Sequence, residues 1–219
     1  IMDYEQAKIR MVNNQLRPNK INDNKLLQLF TSISKEEFLP EEKQILAYTD
    51  NDIEINKHRL YLSNLHLAQM IMYSNINKKD RILHIGSLTG YVSTLLSYLS
   101  SKVFSLEQDE ELFDISKKNI FSHKIHNVQL VNDKHIDGYQ TEKPFNIIFI
   151  DSIVEYIPEK ILNQLDKNNG KLITIKKMNQ NLCKGIKIIK NNENYYDEII
   201  FDCFTKSRPM FKKKDEFIF

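Results

Sequence analysis

Apolar and polar positions along the chain follow two rhythms. From Tyr4 to Leu16, Ala7, Met11, Val12 and Leu16 recur at three- and four-residue spacings, the period of one helix face. Asn22 or Asp23 supplies the N-cap of a second helix carrying Leu26, Leu27 and Phe30, and Pro40 punctuates the segment after it. Ala47 to Leu62 carries no period and reads as irregular and polar. Leu65, Leu67, Met70, Ile71 and Met72 then predict a further helix to Asn75, capped by Ser63 or Asn64.

From Arg81 short apolar runs alternate with helical stretches. Arg81–Ile85, Val103–Glu107, Val128–Val131, Phe145–Asp151 and Lys171–Ile175 read as strands, with helices at Tyr91–Leu99 and Glu110–Phe121. That alternation predicts a parallel sheet covered on both faces. Ile186–Lys190 and Glu198–Phe204, parted by Asn191–Asn194, read instead as an antiparallel hairpin at the sheet edge. The expected fold class is α/β: a Rossmann-like doubly wound sheet, mostly parallel with a C-terminal antiparallel hairpin, plus an N-terminal helical extension. The expected division is 1–76 for the helical segment and 77–219 for the sheet domain. Lys212 to Glu216 reads as a solvated end.

Composition narrows the function classes. Lys and Arg number 31 against 29 Asp and Glu, a net charge of +2, which argues against a nucleic-acid partner held by phosphate neutralisation. No apolar run approaches the roughly 18 residues a membrane span needs, and the opening IMDYEQAKIR lacks an apolar signal core. The expectation is a cytoplasmic protein with no membrane partner, a monomer or weak oligomer. Cys183 and Cys203 read as buried thiols, and no Cys/His spacing suggests a metal. Glycine is more telling, because ordinary usage would give about 15 in this length and the chain has 5. Such a chain keeps glycine where the backbone demands it. Two of them, Gly86 and Gly90, bracket the first strand-to-helix turn, Gly86-Ser87-Leu88-Thr89-Gly90.

In a doubly wound sheet that turn makes the closest approach to ligand, and an acid ending the next strand accepts both hydroxyls of a ribose. Glu107 follows Gly86 at the right distance for that role. The combination points to an adenosine-type cofactor. The dinucleotide pattern G-x-G-x-x-G is broken by Leu88, so a nicotinamide cofactor is the minor alternative. S-adenosyl-L-methionine needs no pyrophosphate cradle, and the terminal antiparallel hairpin suits a methyltransferase sheet.

From Asn14 to Phe204 the chain resembles the protein-L-isoaspartate O-methyltransferase family, a branch of the class I S-adenosylmethionine-dependent methyltransferases. QLRPNKINDNKLLQLFTSISKEEFLP is similar to its N-terminal helices, LSNLHLAQM to its Ser-containing active-site loop, and RILHIGSLTGYVSTLLSYL to its first cofactor motif. VFSLEQDEEL, HNVQLVNDKHIDGYQTEKPFNIIFID and IPEKILNQLDKNNGKLITI follow in the family's order. The resemblance implies carboxyl methylation of isoaspartyl residues in damaged proteins, with isoaspartyl peptides or proteins as partners. It also implies that Gly86, Ser87, Gly90, Glu107, Gln108 and Asp133 hold the cofactor. Ser63 would hold the substrate carboxylate, and as a plain helix cap it has a second role open to it.

The departures lie in the site itself. His84 stands where the family has an acid, Leu88 where it has the middle glycine, Asn132-Asp133-Lys134 where it has Gly-Asp-Gly, and Leu65 where it has proline. A Leu88 side chain is expected to occlude part of the methionine pocket. These changes keep open two alternatives: a diverged methyltransferase with another protein or small-molecule substrate, and a catalytically silent member of the fold. Of the remaining polar residues, His66 reads as a surface or packing residue, His84 as a core hydrogen-bonder or a lining of the methionine pocket, and Asp151 as a rim or cap residue.

Overall fold

The computed structural model describes residues 2–204 and 208–214. The sheet strands are β3 (Arg81–Ile85), β4 (Lys102–Leu106), β5 (Val128–Val131), β6 (Ile147–Val154), β7 (Asn168–Lys177), β8 (Cys183–Asn191) and β9 (Asn194–Cys203). They lie in the order β5-β4-β3-β6-β7-β8-β9, parallel through β7 and antiparallel for the last two pairings. Right-handed crossovers carry the chain outward from β3 to β5 and then back to the other side, so the order reverses between β3 and β6. The carboxyl ends of those two strands flank the fold's natural crevice.

The central strands are buried on both faces, and their side chains alternate between two cores, whereas most of β9 is exposed. Along β6, Ile147, Phe149 and Ile153 enter the larger core, while Ile148, Ile150 and Val154 enter the smaller one. This is the two-residue period of a strand with no solvent face, which explains why the run reads as continuously apolar. Helices α4 (Tyr91–Ser97) and α5 (Glu110–Ser122) follow β3 and β4, and α6 (Glu159–Leu162) precedes β7.

The N-terminal segment shares the larger core. Helix α1 (Tyr4–Met11) is capped by Asp3, continues as a π-turn over Val12–Leu16, and is followed by α2 (Asn24–Ser32), capped by Asp23. Leu16, Phe30 and Leu67 pack in one cluster with Leu95 and Ile173 of the sheet unit, each buried apolar side chain contributing about 1.5–3 kcal/mol. Helix α3 (Asn64–Ser74) begins at its cap Ser63, as the pattern predicts.

One expectation is corrected. Ala47 to Leu62 is not irregular throughout, since β1 (Ile53–Asn56) and β2 (Arg59–Tyr61) form an antiparallel hairpin that pairs Ile53 with Tyr61. Strands of four and three residues are too short to show a period. Ahead of the C-terminal end lies a segment the pattern did not mark: Met210 N–H donates to Ile153 O at 2.8 Å, and Phe211, paired with Val154, accepts from Glu155 N at 2.9 Å. Phe211 is buried, so residues 208–211 form a strap across the carboxyl end of β6. Lys212 to Lys214 are exposed, and Asp215 and Glu216 lie outside the described residues. Cys183 and Cys203 are buried thiols facing one another across β8 and β9, and burial pushes the Cys203 thiol up to about 12.

The N-terminal segment is tied to the crevice by an enclosed lysine. Lys35 Nζ donates to Asn64 Oδ1 at 2.8 Å and lies 5.4 Å from the ring centres of both Tyr61 and Tyr91. Burial lowers its pKa from 10.5 to about 7, against the pull of Asp52 and Asp151. Between those two values the unfolded chain binds the proton more fully than the folded one, so this group makes stability rise with pH across that window. Lys35→Met is expected to remove the rise. Urea unfolding at intervals from pH 7 to 10 checks this, and parallel wild-type and variant curves would refute it.

Candidate active site

At the turn after β3 the backbone does what its residues allow. Gly86 and Gly90 take φ of +83° and +98°, while Leu88 is held at +52°, a left-handed conformation that costs a side-chain-bearing residue about 1–2 kcal/mol. The Leu88 side chain is 2% exposed and packs in the larger core. The expected obstruction of the methionine pocket by Leu88 is therefore corrected: burying the isobutyl group with the apolar core is what offsets the strained backbone.

Glu107 ends β4 with its side chain fully enclosed. Burial alone would raise its pKa, but His135 and the Arg59 guanidinium outweigh it and hold the carboxyl well below the usual carboxylate range. Arg59 binds it as a fork, Nη1 to Oε1 at 2.7 Å and Nη2 to Oε2 at 2.8 Å. The Leu88 N–H adds a bond to Oε2 at 2.9 Å and the Asp109 N–H one to Oε1 at 3.2 Å. Gln108 is turned toward β5: its N–H donates to His135 Nε2, and its Oε1 accepts from His135 N. Burial lowers the His135 pKa against the pull of Glu107, whose Oε1 lies 3.3 Å from the same Nε2. Asn132 donates to Glu107 O at 2.9 Å, tying the ends of β4 and β5 together. Asp133 is exposed and accepts from Lys134 N, so it is not brought to Glu107. Ser87 is buried, and its hydroxyl oxygen has no partner among the described residues.

These groups fit an adenosine-type cofactor in kind: an acid at the end of the second strand, a side-chain-free approach at Gly86, and an unpaired buried hydroxyl beside it. The space is another matter. A Cβ placed on Gly86 would lie 2.5 Å from Met210 Cε and 3.1 Å from Arg59 Nη2. The cavity lined by Arg59, Gln108, His135 and Met210 is about 230 Å³. Both intruding groups are long, unbranched side chains.

Deeper in the sheet, His84 joins Ser93 Oγ and Asp151 Oδ1, each at 2.6 Å, and Ser93 Oγ lies 2.8 Å from Ser105 Oγ. The Ser-His-Asp order mimics a hydrolytic triad, but Ser93 and His84 are fully buried, so no substrate reaches them. The chain is a core network that fixes β3 against β6 and α4. Asp151 thus brings an acid beside His84 from the neighbouring strand.

Ser63 is mostly buried, and its Oγ accepts from His66 N at 3.3 Å as a helix cap. Its own N–H donates to Asp52 Oδ1 at 2.8 Å. Ser63 lines a second, open cavity of about 460 Å³ with Asp50, Asp52, Glu54 and His66. Leu60 lines both this cavity and the one at Glu107. His66 stacks on Phe201 at 5.1 Å, and burial lowers its pKa. Sequence reading missed Arg59, His135, Asp52 and Met210. The only signal for Arg59 was its place two residues before Tyr61 on a strand too short to recognise.

The chain matches the family model described as protein-L-isoaspartate(D-aspartate) O-methyltransferase over residues 6–205. It is 28% identical over 163 residues to a protein-L-isoaspartate O-methyltransferase of Methanoculleus marisnigri, covering 74% of each chain. With protein-L-isoaspartate O-methyltransferase 2 of Shewanella sediminis it shares 29% identity over 170 residues, 78% of this chain and 69% of that one. A solved protein-L-isoaspartate O-methyltransferase superposes with a TM-score of 0.76 at 20% identity, over 94% of this chain and 65% of that one. A Plasmodium falciparum structure assigned to the same activity, in complex with S-adenosyl-L-homocysteine, gives 0.74 at 19% identity, over 95% and 99%. At those identities the structures speak for the fold.

The Arg59–Glu107 pair makes stability depend on acid. Because the folded pKa of Glu107 is depressed, its contribution is complete above the unfolded value of 4.5 and is lost as pH falls toward the folded one. Glu107→Gln should cost about 3 kcal/mol at neutral pH by leaving Arg59 without its counter-charge, and the gap to wild type should narrow below pH 4.5. Urea unfolding at pH 7 and pH 3.5 measures the gap, and a constant difference would refute the assignment.

Proposed function

Since the chain belongs to the protein-L-isoaspartate(D-aspartate) O-methyltransferase family, we propose that it transfers a methyl group from S-adenosyl-L-methionine to the carboxylate of isoaspartyl residues in damaged proteins. The observation that carries this reading is the enclosed Glu107 carboxylate at the end of β4, beside the glycine turn and across Leu60 from the cavity of Ser63. When bound, the cofactor supplies an electrophilic methyl on a sulfonium centre. Gly86, Ser87, Gly90, Glu107 and Gln108 are the residues that would hold it; Asp133 would need to turn from solvent to join them.

The acceptor carboxylate is ionised at neutral pH, so no strong general base is required and positioning supplies the catalysis. Ser63 has the chemistry for that work, a hydroxyl donor at the start of α3. Its N–H is taken by the Asp52 carboxylate, so an acceptor carboxylate would meet the Ser63 hydroxyl and not that amide.

One observation favours a second reading. Asp50, Asp52 and Glu54 line the same cavity and oppose an anionic acceptor, so a methyl acceptor of another class, carrying positive charge beside the reacting group, suits it electrostatically. Isoaspartyl peptides with lysine or glutamate flanks separate the two. Methylation of both favours the first reading, and of neither, with transfer to a cationic acceptor, the second.

Transfer of labelled methyl to an isoaspartyl peptide, with the aspartyl peptide as control, tests the proposal. Ser63→Ala should lower turnover about tenfold or more, the worth of one hydrogen bond to a charged group. Loss of the cap should cost only about 1 kcal/mol. Activity that falls only in step with thermal stability would reduce Ser63 to a cap.

A further inference from the structure

We propose that Arg59 and Met210 form a gate on the cofactor crevice, with Arg59 holding the two acceptor positions of Glu107 that a ribose diol would take. The inference rests on the cofactor reading above and concerns two side chains that the reading does not use.

The argument is one of capacity. An ionised carboxylate offers about four acceptor sites. Glu107 receives Arg59 Nη1 and Asp109 N–H on Oε1, and Arg59 Nη2 and Leu88 N–H on Oε2. The set is full. The two backbone donors belong to the turn and to the cap of α5, so they stay while the fold stays. Arg59 takes one site on each oxygen, the spacing a vicinal diol requires, and it comes from β2, 48 residues away in sequence.

Met210 closes the other half. Its methyl group lies against Gly86, the position at which the backbone is bare, and Arg59 Nη2 approaches the same point. The strap that carries Met210 is fixed by Met210 N–H to Ile153 O and Glu155 N–H to Phe211 O. The hairpin that carries Arg59 is fixed by Tyr61, whose hydroxyl accepts from Thr89 N at 3.2 Å and Tyr91 N at 3.3 Å. Both backbones are held, so the gate opens by rotation of the two side chains.

Calorimetric titration of S-adenosyl-L-homocysteine into the full chain tests this, using wild type, Arg59→Gln, Met210→Ala and the double variant. The gate predicts that each single variant binds at least tenfold more tightly than wild type and the double variant more tightly still. It also predicts that Arg59→Lys, which cannot fork, lies between wild type and Arg59→Gln. A purely structural role for either residue would loosen binding. Wild type binding as tightly as the variants overturns the gate and leaves the cofactor reading standing, whereas no binding by any of the four overturns both. Should Arg59→Gln fail to fold, Met210→Ala decides alone.

Discussion

One buried carboxylate organises this molecule. Removing Glu107 from water costs several kcal/mol, and only a well-placed counter-charge with further hydrogen bonds offsets it. The chain supplies that counter-charge from outside the sheet unit, through Arg59 on the β1–β2 hairpin. The pair fastens the hairpin over the crevice, and the hairpin's next residues form the wall and cap of the Ser63 cavity. Under the gate proposed above, stability and ligand binding draw on the same acceptor, because hydroxyl donors to a carboxylate are worth about 1.5–3 kcal/mol each.

The second polar feature, His84 with Asp151, shows how a sheet distributes chemistry across strands. Read along the chain, His84 marks the absence of an acid. In the parallel register His84 lies beside Phe149 of β6, and Asp151 is two residues further along the same face. Neighbouring strands are about 4.8 Å apart, so a residue at the end of one reaches a side chain on the next. An acid thus stands beside His84 by a lateral route that position-by-position reading does not follow.

What the sequence made legible follows from range. β3 and β5, the start of α4 and the caps Asp23 and Ser63 were readable because periodicity and capping are local. Glu107 was readable because its spacing from Gly86 is set by a single βαβ unit. Arg59, Met210 and Asp52 were not, because what brings them to the site is tertiary: a nine-residue hairpin over Ile53–Tyr61 and a strap beyond the last strand. Leu88 was read as an obstruction because its identity was visible and its side-chain direction was not. The left-handed turn sends it into the core, and the obstruction comes instead from residues 59 and 210.

The β1–β2 hairpin also explains how two cavities can act as one site. Arg59 addresses Glu107, Leu60 lines both spaces, Tyr61 closes the start of α4 and Ser63 caps α3, all within five residues. Tyr61 is fully enclosed, and its hydroxyl meets two backbone donors and Thr89 Oγ1, so breaking it free would leave buried N–H groups unpaired at about 1–3 kcal/mol each. The backbone on either side is thereby held, and Arg59 is set against Glu107 in a single forked geometry. One short strand thus joins the wall of the Glu107 crevice to the cap of the Ser63 cleft, so that any displacement of the hairpin is felt in both.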